Sequence, residues 1–149
     1  LKYGNARVLA VPLGKRLVTQ LHHMNWTIDM IVPVPLHTTR LAERGYNQAQ
    51  LLSEQVTQET LIPCLPNAVH RQRNTQSQVT LNAAERQTNM TDAFQANPSV
   101  VTNQHILLID DVYTTGATVQ ECARLLRQAG AACIDVYTLA RVDTAVGWE

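Results

Sequence analysis

Residues 106–118 read Ile-Leu-Leu-Ile-Asp-Asp-Val-Tyr-Thr-Thr-Gly-Ala-Thr, and this stretch decides the fold class of the chain. Its four apolar residues are long enough for a buried strand, and Asp110 and Asp111 follow where that strand should end. A hydroxyl-rich turn, 114–118, then leads into a helical pattern. Such a turn gathers backbone N–H groups at a helix N-terminus, and Gly116 lets the backbone approach a ligand. The stretch therefore predicts a phosphate-binding turn beside carboxylates suited to sugar hydroxyl groups.

Helical and strand-like segments alternate along the rest of the chain. The apolar spacing predicts helices over 9–24, 41–58 and 117–129, and strands over 28–35, 68–73, 90–96, 106–110 and 134–140. This alternation predicts an α/β fold whose parallel sheet is covered by helices on both faces. We expect a single domain over 1–149, in which polar residues 74–90 form a flexible loop with a short helix near Ala83.

Charge and hydropathy limit the classes of protein to consider. Lys and Arg number 12, and Asp and Glu also number 12, which argues against a surface that binds polyanions everywhere but not against a local basic groove. No apolar run approaches the roughly 20 residues that span a bilayer, so we expect no membrane insertion. The start is not signal-like, which predicts a cytoplasmic protein. Because the chain begins at Leu1, we expect that an upstream segment has been left out.

The three cysteines are odd in number and widely spaced, and they include no C-x-x-C pair. We therefore expect neither a zinc site nor a disulfide framework built from this chain alone. Cys122 falls on an amphipathic helix and Cys133 at the start of a strand. Both are expected to be small core residues, as free cysteines often are.

Residues 106–118 also resemble the phosphoribosyl-pyrophosphate (PRPP) signature of type I phosphoribosyltransferases. Two further segments resemble the competence protein F (ComF) family and its gluconate-utilisation relatives: 31–48, with its Pro-Val-Pro-Leu and Arg-Gly-Tyr-Asn-Gln runs, and 71–94. Residues 2–4 resemble the junction that opens the transferase-like domain of that family. The resemblance implies a type I phosphoribosyltransferase-like (Rossmann-like) fold with a flexible loop or small hood over the strand ends. Members often carry a cysteine-rich zinc ribbon ahead of this domain; the 149 residues hold none, either by truncation or in nature.

The resemblance implies that residues 106–118 bind the ribose and its 5-phosphate. Asp110 and Asp111 would hold the 2- and 3-hydroxyls of the ribose, because carboxylates accept strong hydrogen bonds from a vicinal diol. Five turn residues would wrap the 5-phosphate: Thr114, Thr115, Gly116, Ala117 and Thr118. Thr118 is also a candidate N-cap of the following helix.

The pyrophosphate would face the loop after the first strand. By the same resemblance this loop comprises Pro35, Leu36, His37 and Arg40, and the Arg40 guanidinium matches phosphate oxygens in a fork. A solvated strand-to-helix turn is the alternative. Arg71 and Arg73, in the polar segment, would act as catalytic arginines that clamp the pyrophosphate when the loop closes, unless that segment is simply a solvated basic loop.

Four residues after the loop, Arg44, Tyr46, Asn47 and Gln48, open a helix. They either position the loop or line the site of the second substrate. We expect Mg²⁺ to bind together with PRPP, and no metal site in the absence of that ligand, because magnesium is often held by substrate phosphates and few carboxylates.

Three functions remain open. The first is an active phosphoribosyltransferase, which is a glycosyltransferase of the pentosyl class, acting on an unknown acceptor. The second is a non-catalytic module that binds PRPP, a related phosphorylated ribose or a nucleotide. The third is a competence accessory protein in DNA uptake, with single-stranded DNA or competence proteins as partners. Thr114 stands where some purine-salvage members carry an acid, which disfavours 6-oxopurine salvage. Homodimerisation also stays open.

Overall fold

The computed structural model describes residues 6–24, 26–36, 38–71 and 94–142. In chain order, its elements are helix α1 (Ala6–Met24), strand β1 (Met30–Pro33), helices α2 (Thr38–Arg44) and α3 (Gln48–Thr60), a 3₁₀ turn (Pro66–Ala68), strands β2 (Val69–Arg71) and β3 (Phe94–Ala96), a short helix α4 (Pro98–Val101), strand β4 (His105–Tyr113), helix α5 (Ala117–Gln128) and strand β5 (Cys133–Arg141).

The main sheet has three parallel strands in the order β1, β4, β5. Ile31 of β1 pairs with Leu107 of β4, and His105 of β4 pairs with Cys133 of β5. Strands β2 and β3 form a separate antiparallel pair. The described part of the chain therefore has the predicted α/β architecture, with the carboxyl ends of its parallel strands at one edge.

Strand β4 is buried on both faces. Ile106 and Leu108 pack in a cluster that includes Leu126 of α5, while Leu107 and Ile109 pack with residues of α1 and α3. All four strand residues are fully buried. Successive side chains of a strand point to opposite faces, so the continuous apolar run serves two layers of helices at once. Each such side chain stabilises the fold by about 1.5–3 kcal/mol.

The single helix predicted over 41–58 is wrong, because the chain forms two helices there. Gly45 adopts a left-handed conformation, with φ of 74°, and ends α2. Asn47 then caps α3, with its side chain accepting a hydrogen bond from the Ala49 N–H at 3.0 Å. A glycine in this conformation followed by an Asn cap is a common way to end one helix and begin another.

The structure confirms the predicted burial of one cysteine and corrects that of another. Cys122 is buried, as expected, but Cys133 is exposed, so its assignment to the core was wrong. It is the first residue of β5, which pairs with β4 on one side within the described part of the sheet.

Several predictions fall on residues that the structure does not describe. These are the loop over 74–90 with its short helix near Ala83, the junction at 2–4, and residues 90–93 of the predicted strand that ends at Ala96. The single domain over 1–149 also stays a prediction. In the described ranges, no helix combines the length and apolar character that crossing a membrane requires.

Candidate ligand site at the carboxyl end of the sheet

A cavity of about 520 Å³ opens where β1 and β4 end. Its first wall is the continuous segment 110–119, which carries the acid pair and the hydroxyl-rich turn. Its second wall is formed by Pro35 and Leu36 of the loop after β1 and by Arg40, which the structure places in the first turn of α2 and not in the loop. Parallel strands present their carboxyl ends at the same edge, so two segments about 75 positions apart in sequence meet here. The structure thus brings most of the predicted site residues together.

The acid pair is held at the end of β4. The Asp111 N–H donates a hydrogen bond of 2.9 Å to Asp110 Oδ1. The pKa of Asp110 is raised from 3.8 to about 6, chiefly by burial; the hydrogen bond from the Asp111 N–H lowers it, and the neighbouring Asp111 charge contributes to the rise. A hydrogen-bond donor such as a diol, or a cation, would stabilise the ionised carboxylates and so offset the cost of burying their charge.

The turn between β4 and α5 depends on Gly116. This glycine has a φ of 77°, is buried, and stands at the N-cap position with no side-chain cap. A Cβ at this position would overlap the hydroxyl and ring of Tyr113. The turn therefore needs glycine for its conformation and for space.

The hydroxyl groups of the turn are available to a ligand. Thr114 and Thr115 are exposed, and Thr115 Oγ1 accepts a weak hydrogen bond of 3.4 Å from the Ala117 N–H. Thr118 is not the N-cap, which corrects the expectation above, because the Gln120 N–H already bonds to the Gly116 carbonyl and the helix begins at Ala117. The N–H groups of the first turn, of which only that of Ala117 makes a weak hydrogen bond within the described residues, and the absence of acidic residues in that turn suit an anion.

The loop after β1 is anchored at its first residue, Val34, by two hydrogen bonds. The Val34 N–H donates to the Ile109 carbonyl at 2.8 Å, which joins the loop to β4. The side-chain amide of Asn47 donates to the Val34 carbonyl at 3.0 Å while its oxygen caps α3. Of the two roles left open for this segment, Asn47 therefore has the positioning role.

Gln48 has a different environment. It is 2% exposed, it lines the cavity, and its side-chain Nε2 has no hydrogen-bond partner among the described residues. A buried donor without a partner costs about 1–3 kcal/mol. The position and the unmet donor both fit the second role, a residue that contacts the ligand.

Some predicted site residues cannot be placed. His37 and Arg73 lie outside the described residues, and of Arg71 the backbone at the end of β2 is described but the side chain is not. Their proposed roles at the pyrophosphate therefore stay predictions.

The cavity also has walls that the sequence reasoning missed. Phe94 of β3 and Val142, after β5, line it. The Tyr113 ring covers Gly116 and lies under the Arg141 guanidinium, whose carbon is 5.7 Å from the ring centroid. The Val142 N–H bonds to the Tyr113 carbonyl at 2.9 Å. The sequence did offer a basis for predicting Arg141 and Val142 here, because a strand parallel to β4 must end at the same edge of the sheet.

Comparison with known proteins agrees with this geometry. Residues 8–147 match the phosphoribosyl transferase domain family. The chain is 42% identical over 115 residues to competence protein F of Haemophilus influenzae, covering 76% of this chain and 50% of that protein. It is 36% identical over 146 residues to the DNA utilization protein YhgH of Escherichia coli, covering 95% of this chain and 64% of that protein. The chain thus spans half to about two-thirds of these relatives.

Solved structures share the fold at low sequence identity. Glutamine PRPP amidotransferase from Bacillus subtilis, complexed with ADP and GMP, superposes with a TM-score of 0.64 at 20% identity, covering 91% of this chain and 26% of that one. An adenine phosphoribosyltransferase superposes with a TM-score of 0.60 at 15% identity, covering 89% and 71%. The sheet with helices on both faces is therefore the type I phosphoribosyltransferase fold.

Replacing Asp110 with Asn should raise stability at neutral pH. The pKa of Asp110 lies above its ordinary value in the folded state, so folding binds a proton and the free energy of unfolding of the wild type falls as pH rises from about 4 to 6. Because the carboxyl group is partly exposed, we expect Asp110→Asn to be more stable by about 1–2 kcal/mol above pH 7 and by little near pH 4.

Urea denaturation at several pH values measures this difference. Glu59→Gln removes an exposed carboxylate of α3 outside the cavity and controls for the change of net charge. A stability difference between Asp110→Asn and wild type that does not change with pH would contradict the prediction.

Proposed function

Because the chain belongs to the phosphoribosyl transferase domain family, we propose that it binds PRPP with Mg²⁺ in this cavity and transfers the phosphoribosyl group to an acceptor, releasing pyrophosphate. One observation carries the proposal. A single cavity joins the acid pair and the hydroxyl-rich turn on one wall to the loop after β1 and Arg40 of α2 on the other. PRPP has the matching parts: a diol, a 5-phosphate, and a pyrophosphate on the anomeric carbon.

The turn is the site for the 5-phosphate. The exposed Thr114 and Thr115 hydroxyls donate to phosphate oxygens, and the N–H groups after Gly116 point to the same anion at the start of α5. Gly116 keeps the backbone close to the phosphate because it has no side chain in the way. The first turn of α5 carries no acid that would repel the phosphate.

Asp110 and Asp111 are the site for the ribose diol and for part of the cation shell. Their oxygens are hard ligands of the kind that Mg²⁺ takes, and the phosphates of PRPP would supply others. The raised pKa of Asp110 supports this assignment, since burial disfavours its ionised form and a bound cation would stabilise it. When bound, the metal neutralises charge that builds on the departing pyrophosphate.

The transfer breaks the bond between the anomeric carbon and the pyrophosphate oxygen, and it forms a bond from that carbon to the acceptor, which loses a proton. Arg40 lies on the wall opposite the acids and binds the pyrophosphate oxygens. Thr114 offers no basic group, so the proton leaves to solvent or to the released pyrophosphate and not to that position. The lack of a base there disfavours a 6-oxopurine as the acceptor.

A second function has a specific observation in its favour. The relatives are named for competence and DNA utilization, which supports a role in DNA uptake with single-stranded DNA or competence proteins as partners. The balanced charge of the chain and its 5% aromatic content argue against strong intrinsic binding of single-stranded DNA. Oligonucleotide affinity that falls steeply with salt would favour this second function.

Titration of PRPP with Mg²⁺ into the protein tests the binding step. We expect micromolar affinity for the wild type and a loss of about 100-fold or more in Asp110→Ala/Asp111→Ala, because two charge-assisted contacts are removed. The matched control is Glu54→Gln/Glu59→Gln, which removes two exposed carboxylates of α3 outside the cavity and should bind normally.

Pyrophosphate release then separates catalysis from binding. Release with one of a panel of bases and amines supports the transferase, whereas tight PRPP binding without release for any acceptor would favour the non-catalytic alternative. A folded wild-type protein that does not bind PRPP would contradict both.

Gln48 offers a prediction that links stability to binding. Replacing it with Met removes the unpaired donor at similar volume, so we expect the unliganded protein to gain about 1 kcal/mol and the affinity for PRPP with Mg²⁺ to fall about tenfold. Urea denaturation and calorimetry measure the two effects. Thr57→Val is the matched control, since the buried Thr57 hydroxyl of the same helix also lacks a partner but lies outside the cavity. A Gln48→Met protein that binds like wild type would show that this amide does not contact the ligand.

A further inference from the structure

At the amino end of the sheet, away from the cavity, three metal-ligating side chains of different chemistry converge. His105 Nε2 lies 2.6 Å from Asp135 Oδ2, and one ring nitrogen of His105, one carboxylate oxygen of Asp135 and the Cys133 sulfur all lie within 4.8 Å of one another. We propose that His105, Cys133 and Asp135 form a binding site for a zinc-class transition-metal ion. The side chains are partly or well exposed, so an ion can reach them from solvent.

The backbone of two paired strands holds these ligands. His105 of β4 is directly opposite Cys133 of β5, and Asp135 is two residues further on. Because side chains alternate along a strand, Cys133 and Asp135 share one face of the sheet, and the pairing brings His105 to it. A site on paired strands is held more rigidly than one on loops.

Further contacts fix the start of each strand. Asp29 Oδ2 accepts a hydrogen bond of 2.7 Å from the His105 N–H, and the Asp29 N–H donates to the His105 carbonyl at 2.9 Å. On β5, the Ala132 N–H donates to the Gln104 carbonyl at 2.9 Å. These hydrogen bonds fix the backbone of His105 and of the residue before Cys133. They do not involve the side chains of His105, Cys133 or Asp135.

The donor set selects the ion. One thiolate, one imidazole and one carboxylate are the ligands that zinc takes at about 2.0–2.3 Å, in a tetrahedron whose ligand atoms lie roughly 3.3–3.7 Å apart. The His105–Asp135 contact must open by less than about 1 Å to reach that spacing. A soft thiolate favours zinc over magnesium, and binding displaces the thiol proton. Three protein ligands leave a fourth position for water.

The site is independent of the proposed PRPP site. His105 lies five positions before Asp110 on the same strand, which places it roughly 16 Å away at about 3.3 Å per residue. The alternative is a simple hydrogen bond between His105 and Asp135. It explains why these two side chains lie together but not why the Cys133 thiol lies beside them. Such a site leaves no C-x-x-C motif in the sequence, because its ligands come from two strands and His105 and Cys133 are 28 positions apart.

Cobalt titration into the reduced, metal-free protein tests the proposal. Co²⁺ takes the place of zinc and reports a thiolate ligand by a near-ultraviolet charge-transfer band. We expect this band to saturate at one ion per chain and to disappear when Zn²⁺ is added. Cys133→Ser should abolish the band and weaken zinc binding, measured by calorimetry, by at least about tenfold, and His105→Gln and Asp135→Asn should also weaken it.

Two controls exclude other ligands. Burial raises the pKa of Cys64 to about 11 and that of Cys122 to about 12, so both stay protonated thiols, and Cys64→Ser should keep the cobalt band. His22→Gln/His23→Gln removes exposed histidines of α1 and should keep it too. Circular dichroism checks that each variant is folded. The proposal is overturned if the wild type shows no thiolate band, or if folded Cys133→Ser binds cobalt and zinc as the wild type does.

Discussion

The burial of β4 on both faces is the constraint from which the rest of the structure follows. Its four apolar residues serve two packed clusters, one with α5 and one with α1 and α3. A strand held in this way cannot slip by one residue, since a slip would exchange the two faces along its whole length. The residues at its two ends are therefore placed as firmly as its core. Asp110 and the turn lie at one end, and His105 lies at the other.

Two energetically costly groups lie at the carboxyl end, beside the glycine that the turn requires. Asp110 has a raised pKa, the Gln48 Nε2 is buried with no partner among the described residues, and Gly116 is in a left-handed conformation. All three line the same cavity. A protein keeps such groups where a ligand completes them, and the concentration of perturbed groups in a cleft is a physical reason to place function there. The family membership and the cavity support the same conclusion by different routes.

Features that depend on local chain chemistry were predictable from the sequence. The strand, the acid pair and the glycine turn occupy consecutive positions, so residues 106–118 alone predict them. Features that depend on pairing between distant segments were not. Cys133 was misplaced because strand order decides its exposure. The left-handed conformation of Gly45 is local, but it was missed because apolar spacing continues across it. Tyr113 and Arg141 meet only through the register of β4 and β5.

The central claim is that the turn after β4 is a phosphate cradle, and amide chemical shifts test it most directly. In ¹⁵N-labelled protein titrated with PRPP and Mg²⁺, the account predicts the largest shift changes at the backbone amides of 114–118 and at Asp111. It predicts small changes at His105 and Cys133, at the other end of the same two strands. Saturable changes elsewhere with an unaffected turn, or no changes at all in a folded protein, would contradict it.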